Sequence, residues 1–439
     1  MWKNLLAAAL LSTALVAQTA DRRVIVISVD GLKAETLRDS AKLGLKIPNL
    51  TEMRDKGAVS AGLTGVFPTV TYPSHTTMMT GVQPSEHGIL GNNLFDPEGR
   101  TRGAWYWFSE LIRKPTLWDA AKAAGKTVGA IAWPVTVGAR IDYNIPEYAV
   151  FHGEDSLPLQ RSISTPGLYE EMEKVLGKNT WDGPQTDALR AAQAAYILRT
   201  RKPHLTLIHL IDLDHEEHGF GPGSPEANHA LEEIDKAIGT IRAAVREAGV
   251  ENSTRWVILS DHGFWPVSQA FQPQAFLSSL GLAAPEDKPS DWRVAAHVNG
   301  GSVAFVAKDP NDKEAQQIVM KALATLQANE RWGVEHILDK AQLAERKSYS
   351  HAFAAISMRR GFTAGSNRNG AWVTSSGATR GMHGFLPGPT ELDCTFLVYG
   401  PGITARPLPH GNLADVATTT GVLLGVSLPE SKGQDLLKQ

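Results

Sequence analysis

The hydrophobic positions of this chain fall into short apolar runs that are separated by longer amphipathic segments. The runs that read as buried strands are Val24–Val29, Val128–Ala132, Leu205–Leu210, Trp256–Leu259 and Phe396–Tyr399. Helical periodicity marks the segments Thr116–Ala124, Asp187–Arg199, Pro225–Glu247 and Asn412–Leu424. Alternation of this kind predicts an α/β fold, in which helices sandwich a doubly wound, mostly parallel sheet.

Residues 265–378 have a different pattern of predicted strands and helices. Short strand-like runs at Gly301–Val306 and His351–Ser357 flank a helix-like segment at Asp312–Gln327. We interpret this region as a small α+β subdomain inserted into one domain of residues 21–439. The chain returns to the main sheet at Thr395–Tyr399.

The N-terminus has the pattern of an export signal. Lys3 precedes an apolar stretch from Leu5 to Ala17, and small residues follow as far as Ala20. This arrangement is typical of a secretory signal peptide, here residues 1–20. The stretch is shorter than the roughly 20 apolar residues that span a bilayer. We therefore expect a periplasmic or secreted protein with no membrane span after signal removal.

Composition narrows the class of protein. Of 439 residues, 42% are hydrophobic and 20% charged, with a net charge of −3, which is typical of a globular protein. No basic excess points to polymeric nucleic acid as a partner. Cys394 is the one cysteine, so no intrachain disulfide can form and the fold must depend on its core.

Acidic residues end three of the predicted strands. Asp30 follows the first, Asp214 the third and Asp261 the fourth, and ligands bind beyond the carboxyl ends of parallel strands. Histidines accompany them in Asp214-x-x-x-His218, Asp261-His262 and Gly381-Met-His383-Gly384. Asp30, Asp214, His218, Asp261, His262 and His383 could together hold two ions. Such mixed ligation favours zinc, then manganese or iron, and magnesium least. Competing candidates in the same crowded segment are Asp212, His215, Glu216 and Glu217.

Thr71 lies at a predicted helix start. Pro73 suits the first turn of a helix and Gly81 suits its end. The backbone N–H groups and the dipole at a helix N-terminus attract anions such as phosphate. The alternative, which the local sequence alone favours, is that Thr71 only caps the helix.

In combination, these motifs resemble a known family. The resemblance rests on the motifs Val-Asp30-Gly, Thr71-Tyr-Pro-Ser-His75, Thr80-Gly-x-x-Pro-x-x-His87-Gly, Asn92, Asp214-x-x-x-His218, Asp261-His262-Gly and Gly-x-His383-Gly. The order is similar to that of the nucleotide pyrophosphatase/phosphodiesterase family of the alkaline phosphatase superfamily. The resemblance runs from about residue 24 to about residue 425. It implies an α/β sandwich with two zinc ions per chain.

The resemblance also implies a role for each matched residue. Asp30, Thr71, Asp261 and His262 would bind one zinc, and Asp214, His218 and His383 would bind the other. Thr71 would be the nucleophile of a double displacement through a phosphothreonine intermediate. Asn92 would donate to a non-bridging phosphoryl oxygen. Tyr72 replaces the phenylalanine common after the nucleophile and would offer substrate an aromatic face. His75 and His87 are expected to be structural.

The substrate class is less strongly encoded. Ala132–Val137 lacks the Lys-x-Arg pair that monoester-cleaving relatives place there, and Trp133-Pro134 resembles the diesterase version. A formylglycine sulfatase would need cysteine at position 71. We therefore expect cleavage of phosphodiester or pyrophosphate bonds rather than of monoesters.

Among small molecules, we expect nucleotides to be the substrates. Candidate walls for a base are Tyr72, Leu94, Tyr143 and Tyr148. Choline or lysophospholipid diesters are an alternative, because Asp142 and Glu147 leave room for a choline site. A non-catalytic binding protein of the same fold would lack some of the seven positions that bind metal, and none is missing here.

Overall fold

The structure is a computed structural model that describes residues 22–101, 103–148, 156–177 and 185–438. The predicted export signal, residues 1–20, lies outside these residues. The strands are β1 Arg23–Val29, β2 Ala58–Ser60, β3 Leu63–Thr64, β4 Val128–Ile131, β5 Tyr143–Ile145, β6 Leu205–Leu210, β7 Thr254–Leu259, β8 Trp265–Phe271, β9 Val294–Asn299, β10 Ser302–Ala307, β11 Val334–Asp339, β12 Ala354–Met358, β13 Gly361–Ala364, β14 Val373–Met382, β15 Phe396–Tyr399, β16 Arg406–Leu408 and β17 Gly411–Asn412.

Helices connect and cover these strands. They are α1 Ala34–Arg38, α2 Pro48–Lys56, α3 Thr71–Thr80, α4 Pro84–His87, α5 Leu117–Ala123, α6 Ser156–Ile163, α7 Leu168–Leu176, α8 Asp187–Thr200, α9 Asp212–Phe220, α10 Pro225–Glu247, α11 Pro273–Ser279, α12 Lys313–Gln327, α13 Lys340–Glu345 and α14 Asp415–Leu424. In the part of the chain that the structure describes, no helix has both the length and the hydropathy needed to cross a bilayer.

The main sheet has eight strands in the order β16-β2-β15-β7-β1-β6-β4-β5. β1 lies between β6 and β7 and is parallel to both, while β15 is antiparallel to β7. The prediction of a doubly wound, mostly parallel sheet is confirmed. The register places Val29 beside Leu210 and Ser28 beside Leu259, so the carboxyl ends of these three strands lie together.

Alternate residues of β1 support the two faces of the sheet. Ile25 and Ile27 pack into a core beneath α8 and α10, whereas Val24 and Val26 pack into a second core with Trp118. Strands covered on both faces need apolar residues at successive positions, which explains the unbroken hydrophobic run in the sequence.

Most predicted elements agree with the structure, and two start three residues later than predicted. The strand predicted at His351–Ser357 begins only at Ala354, in β12. The predicted helix at Asn412–Leu424 begins only at Asp415. Asn412 instead belongs to β17, which pairs with β3, and its N–H donates to Asp415 Oδ2 at 2.9 Å. The Asp415 carboxylate thus holds Asn412, three residues before the helix, in the short strand.

Residues 265–378 contain separate small sheets. One is four-stranded, in the order β11-β12-β10-β9, and the other is three-stranded, in the order β13-β8-β14. Their shared core includes Phe276, Phe305 and Leu323. The segment therefore combines helices and strands, as expected, while its boundaries stay a prediction. Residue 378 itself lies within β14, which continues to Met382.

Candidate metal centre and active site

The acidic side chains predicted at strand ends meet at one edge of the main sheet. Asp30 directly follows β1, Asp214 lies in the first turn of α9 after β6, and Asp261 follows β7 by two residues. Gly31 turns the chain here with φ +77°, and its N–H donates to Asp261 Oδ1 at 3.2 Å. A Cβ atom at this position would approach the Phe264 ring to 2.7 Å, so the turn requires glycine.

Asp30, Asp261 and His262 form one compact group. His262 Nε2 lies 3.2 Å from Asp30 Oδ1 and 3.2 Å from Asp261 Oδ2. One potential ligand atom from each residue lies within 4.8 Å of the others. The three side chains are almost completely buried.

Asp214, His218 and His383 form an adjoining group. Asp214 Oδ1 lies 3.5 Å from His218 Nε2 and 3.7 Å from His383 Nε2. The Nδ1–H groups of the two histidines donate to backbone carbonyls, of Gly381 at 3.1 Å and of Thr69 at 3.0 Å. This leaves each Nε2 with a lone pair on the side of Asp214, the tautomer that a metal ligand needs.

His262 stands between the two groups. Its ring stacks on that of His383 with centroids 3.7 Å apart and planes 7° from parallel. In one group a ring nitrogen of His262 lies within 4.8 Å of ligand atoms of Asp214 and His383, and in the other a ring nitrogen lies within 4.8 Å of ligand atoms of Asp30 and Asp261. The six predicted protein ligands other than Thr71 are therefore contiguous, and their division between two ions stays a prediction.

Unpaired polar atoms make this cluster suited to cations. Asp30 Oδ1, Asp214 Oδ1, Asp261 Oδ2 and both ring nitrogens of His262 are buried without a hydrogen-bond partner among the described residues. An unpaired buried polar atom is destabilising, and divalent cations would be coordinated by the carboxylate oxygens and by one of the two His262 nitrogens. The residues present therefore fit the metal site that the sequence predicts.

The pKa values of these groups are shifted by burial and by repulsion between like charges. Burial raises the pKa of Asp30 well above its usual range, and the charges of Asp261 and Asp214 raise it further. Burial likewise raises the pKa of Asp261 to about 6. Burial and the nearby His383 and His218 lower the pKa of His262. A cation in the cluster would reverse the direction for the carboxylates.

Thr71 is the first residue of α3, and Gly81 closes the helix with φ +70°. Val70, not Thr71, is the N-cap residue, so the alternative in which Thr71 serves only as a cap is wrong. Thr71 is 6% exposed. Its position in the first helical turn places it among backbone N–H groups that attract phosphate.

Asn92 is held beside the start of α3. Its Oδ1 accepts the Tyr72 N–H at 2.9 Å, which leaves its NH₂ group to donate elsewhere. Asn93, in contrast, uses its NH₂ group to donate to the Gly103 carbonyl at 2.8 Å. The arrangement of Asn92 suits the phosphoryl contact predicted for it, which stays a prediction.

The predicted substrate walls differ in exposure. Tyr72 is fully buried with Ile89 and Val135, and its ring meets Trp105 edge to face at 5.2 Å. Contact between Tyr72 and a substrate would therefore require a neighbour to move. Leu94 is half-buried, and its N–H donates to the Ala104 carbonyl at 2.8 Å.

Tyr143 and Tyr148, the other candidate walls, have their own packing partners. Tyr143 lies in the edge strand β5 beneath Arg201, and the Tyr148 ring packs against Trp107 at 4.5 Å. Nothing in these contacts assigns either tyrosine to a substrate, so their role as walls stays a prediction.

None of the groups with metal-like spacing among the described residues contains a competing candidate, that is Asp212, His215, Glu216 or Glu217. Asp212 Oδ2 accepts the Asp187 N–H at 3.0 Å, and its Oδ1 lies 3.3 Å from Arg190 Nη1. Asp212 therefore secures the start of α8. Glu217 is buried beside Gly31, and its pKa is raised well above the usual range by burial.

His209 was not among the predicted site residues, and Glu147 was considered only for a choline site. His209 lies in β6, and its Nε2 is 3.1 Å from Asp30 Oδ2, while its Nδ1 is 3.0 Å from Glu147 Oε2 and 3.2 Å from the Ala132 carbonyl. Burial lowers the pKa of His209, but the hydrogen bonds with Asp30 and Glu147 outweigh it and raise the pKa to about 10. A single histidine in the run Leu-Thr-Leu-Ile-His-Leu was the available signal.

His75 is also close to the cluster. Its Nδ1–H donates to the Thr71 carbonyl at 2.8 Å, one helical turn back, and lies 3.8 Å from Asp261 Oδ2. One potential ligand atom from each of three residues lies within 4.8 Å of the others, as in the other groups; these residues are His75, His209 and Asp261. The expectation that His75 is structural agrees with its bond to the helix backbone but stays a prediction.

Comparison with known proteins places the chain in a family. Residues 24–386 match the family model described as type I phosphodiesterase / nucleotide pyrophosphatase. This match covers most of the chain, so the protein belongs to that family.

Curated relatives match over part of their length. An uncharacterised pyrophosphatase/phosphodiesterase of Schizosaccharomyces pombe is 29% identical over 255 residues, which are 56% of this chain and 45% of the relative. Human ectonucleotide pyrophosphatase/phosphodiesterase family member 1 is 24% identical over 54% of this chain and 23% of the human protein. Human family member 5 is 27% identical over 60% of this chain and 50% of the human protein. The chain thus spans half or less of the length of these relatives.

Solved structures share the fold. Human ectonucleotide pyrophosphatase/phosphodiesterase 5 has a TM-score of 0.67 at 20% identity, covering 94% of this chain and 99% of that one. An inactive threonine-to-alanine variant of the murine protein, in complex with AMP, has a TM-score of 0.65 at 19% identity. The alignment covers 94% of this chain and 99% of the murine one.

Proposed function

We propose that this protein is an exported, zinc-dependent hydrolase of phosphodiester or pyrophosphate bonds in nucleotides. The observation that carries the proposal is the set of unpaired carboxylate and imidazole atoms at the carboxyl edge of the main sheet. Such donors suit metal-assisted phosphoryl transfer, and the family membership of the chain supports that reaction class.

Seven residues would hold the metal ions. Asp30, Thr71, Asp261 and His262 would bind one zinc, and Asp214, His218 and His383 would bind the second. When bound, zinc supplies Lewis acidity, which lowers the pKa of a coordinated hydroxyl group and neutralises charge on phosphoryl oxygens.

The chain's own groups would carry a double displacement. The Thr71 Oγ1 would lose its proton to solvent and form a bond to phosphorus, while the bond from phosphorus to the leaving oxygen breaks and that oxygen takes the electron pair. A water oxygen would then form a bond to phosphorus as the bond from phosphorus to Oγ1 breaks. A proton from that water would return to Oγ1, and the phosphorylated product would leave. The Asn92 NH₂ group would donate to a non-bridging oxygen, because its Oδ1 is already engaged by the Tyr72 N–H.

The inactive threonine variant of the murine structural neighbour, in complex with AMP, supports both a threonine nucleophile and a nucleotide substrate. The names of the ectonucleotide relatives also favour export, as does the N-terminal pattern.

The surroundings of Thr71 favour a diester over a monoester. Trp133 and Val135 are fully buried, and Trp133 packs edge to face on His75 at 4.9 Å. The segment carries no cation before Arg140, which is exposed. An extra negative charge on a monoester would therefore find little compensation there.

A choline diester is less favoured than a nucleotide. The acidic residues that could have formed a choline site have other partners. Asp142 accepts from Lys122 at 2.5 Å and from the Val128 N–H at 2.8 Å, and Glu147 pairs with His209 at 3.0 Å. Neither carboxylate is free to face a quaternary ammonium group.

The experiment is a comparison of kcat/KM for a nucleoside p-nitrophenyl phosphodiester and for p-nitrophenyl phosphate on zinc-loaded protein. We expect a strong preference for the diester. A preference for the monoester would contradict the proposal and would identify the protein as a phosphatase. Turnover of neither compound, with zinc bound, would favour a binding protein of the same fold.

A further inference from the structure

We propose that His209 is a positioning residue that holds Asp30 as a single-oxygen ligand of the metal centre. This inference rests on the proposed function, because it assigns a role toward the ions that the centre would bind. Nothing in the sequence motifs includes His209, which lies five residues before Asp214 inside β6.

The two oxygens of Asp30 have different surroundings. Oδ2 lies 3.1 Å from His209 Nε2. Oδ1 has no hydrogen-bond partner among the described residues and lies 3.2 Å from His262 Nε2. With Oδ2 held on one side, Oδ1 is the oxygen that faces the other predicted ligands. His209 therefore selects the ligating atom and fixes the carboxylate plane.

The second ring nitrogen of His209 anchors the imidazole. Its Nδ1 lies 3.2 Å from the Ala132 carbonyl, which can only accept a hydrogen bond, so Nδ1 carries a hydrogen. Ala132 has φ +51°, an uncommon value for a residue with a side chain, and its own N–H donates to the Ile145 carbonyl at 2.7 Å. The surrounding sheet thus holds Ala132 in the conformation that aims its carbonyl at His209.

Glu147 extends the network to the helix that begins at Thr71. Its Oε2 lies 3.0 Å from His209 Nδ1, and its Oε1 accepts the Tyr72 hydroxyl at 3.4 Å. Hydrogen bonds therefore run from Asp30 through His209 and Glu147 to the residue after Thr71. The same network fixes a predicted ligand and braces the predicted nucleophile's helix.

An alternative role for His209 is direct metal ligation, since one of its ring nitrogens lies within 4.8 Å of potential ligand atoms of His75 and Asp261. Both of its ring nitrogens, however, have protein partners at 3.0–3.2 Å. The unpaired atoms nearby belong instead to Asp30, His75, Asp261 and His262. Hydrogen-bond geometry therefore favours the positioning role.

Two amide substitutions at His209 distinguish the hydrogen bond made by Nε2 from the hydrogen bonds made by Nδ1. The amide nitrogen of His209→Gln can reach the former Nε2 position and still donate to Asp30. That of His209→Asn reaches only the Nδ1 position, on the side of Ala132 and Glu147. The readouts are the zinc dissociation constant, from competition with a chelator, and the zinc retained per chain after dialysis.

We expect His209→Asn to weaken zinc binding at one site by ~10–100-fold, as loss of an outer hydrogen bond to a metal ligand does. His209→Gln should restore most of that affinity, and Glu147→Gln should cause a smaller loss than His209→Asn. Thr206→Val is the matched control, because Thr206 is a buried polar residue of the same strand whose hydroxyl has no hydrogen-bond partner among the described residues. The melting temperature of zinc-free protein checks that each variant folds.

Wild-type zinc affinity in folded His209→Asn would overturn the positioning role while leaving the proposed function intact. Equal, severe loss in the Asn and Gln variants would also overturn it, in favour of direct ligation. If His209→Asn fails to fold, Glu147→Gln decides, and unchanged affinity in that variant counts against the network. Failure of wild-type protein to bind zinc would overturn the proposed function and this inference together.

Discussion

Buried histidines occur both at the edge of the main sheet and in the inserted segment, but their partners differ. His262 lies between Asp30 and Asp261, and neither of its nitrogens has a hydrogen-bond partner among the described residues. In the insertion, His297 Nδ1 pairs with His351 Nε2 at 3.1 Å, and its Nε2 lies 3.1 Å from the Asn93 carbonyl. The first is surrounded by unpaired carboxylate oxygens, whereas the second is satisfied by neutral groups.

This difference shows which property marks a metal site. Burial lowers the pKa of His262, and burial also lowers the pKa of His297, to about 3. A shifted pKa therefore does not distinguish the two regions. The presence of carboxylates with unpaired oxygens does, and no group with metal-like spacing among the described residues includes His297.

The largest effect is expected at the main-sheet edge. Thr71→Ala should lower diester turnover by about 10³-fold or more, because the nucleophile is lost, while the fold and most bound zinc remain. Steady-state kinetics with zinc analysis of the same sample measures both. Thr80→Ala is the control, since Thr80 lies in the same helix and its hydroxyl donates to the Thr76 carbonyl at 2.7 Å. Near-wild-type turnover in Thr71→Ala would rule out the covalent mechanism.

A second change tests the phosphoryl contact beside that edge. Asn92→Ala should lower kcat by ~10²-fold, as removal of one oxyanion donor does. Asn93→Ala is the matched control, because its NH₂ group donates to the Gly103 carbonyl instead. A rate in Asn92→Ala that equals that of Asn93→Ala would mean that Asn92 only supports the backbone of Tyr72.

The smallest effect on the metal centre is expected in the insertion. His297→Ala should leave zinc binding unchanged but lower the free energy of unfolding by about 1–3 kcal/mol, since the partner groups on Asn93 and His351 would be left unpaired. Denaturant unfolding and zinc analysis measure the two quantities. His410→Ala is the control for removal of a more exposed histidine, which pairs with Asp393 at 3.0 Å. Loss of zinc in His297→Ala would break the distinction between the regions.

The sequence was most informative where local pattern decides structure. Asp30 and Asp261 could be placed at one edge because apolar runs precede them and parallel strands end together. Pro73 and Gly81 likewise predicted α3, since each favours one end of a helix. These inferences depend on neighbours in the chain, not on distant packing.

Other features depend on contacts between distant segments. The stacking of His262 on His383 joins residues on either side of the insertion. The burial of Tyr72 depends on contacts with Trp105 and Val135, which the sequence does not show, whereas the family resemblance implied an aromatic face open to substrate. His209 lay hidden within an apolar strand, because a single polar residue there does not alter the hydrophobic pattern.

The most direct test of the metal centre is to remove zinc with a chelator and then titrate it back, while measuring bound zinc and diester turnover. We expect zinc-free protein to be inactive, and turnover to return as zinc approaches two ions per chain. Full turnover in protein shown to contain no metal, or recovery of none of it with both ions bound, would contradict the assignment of this cluster as a catalytic zinc centre.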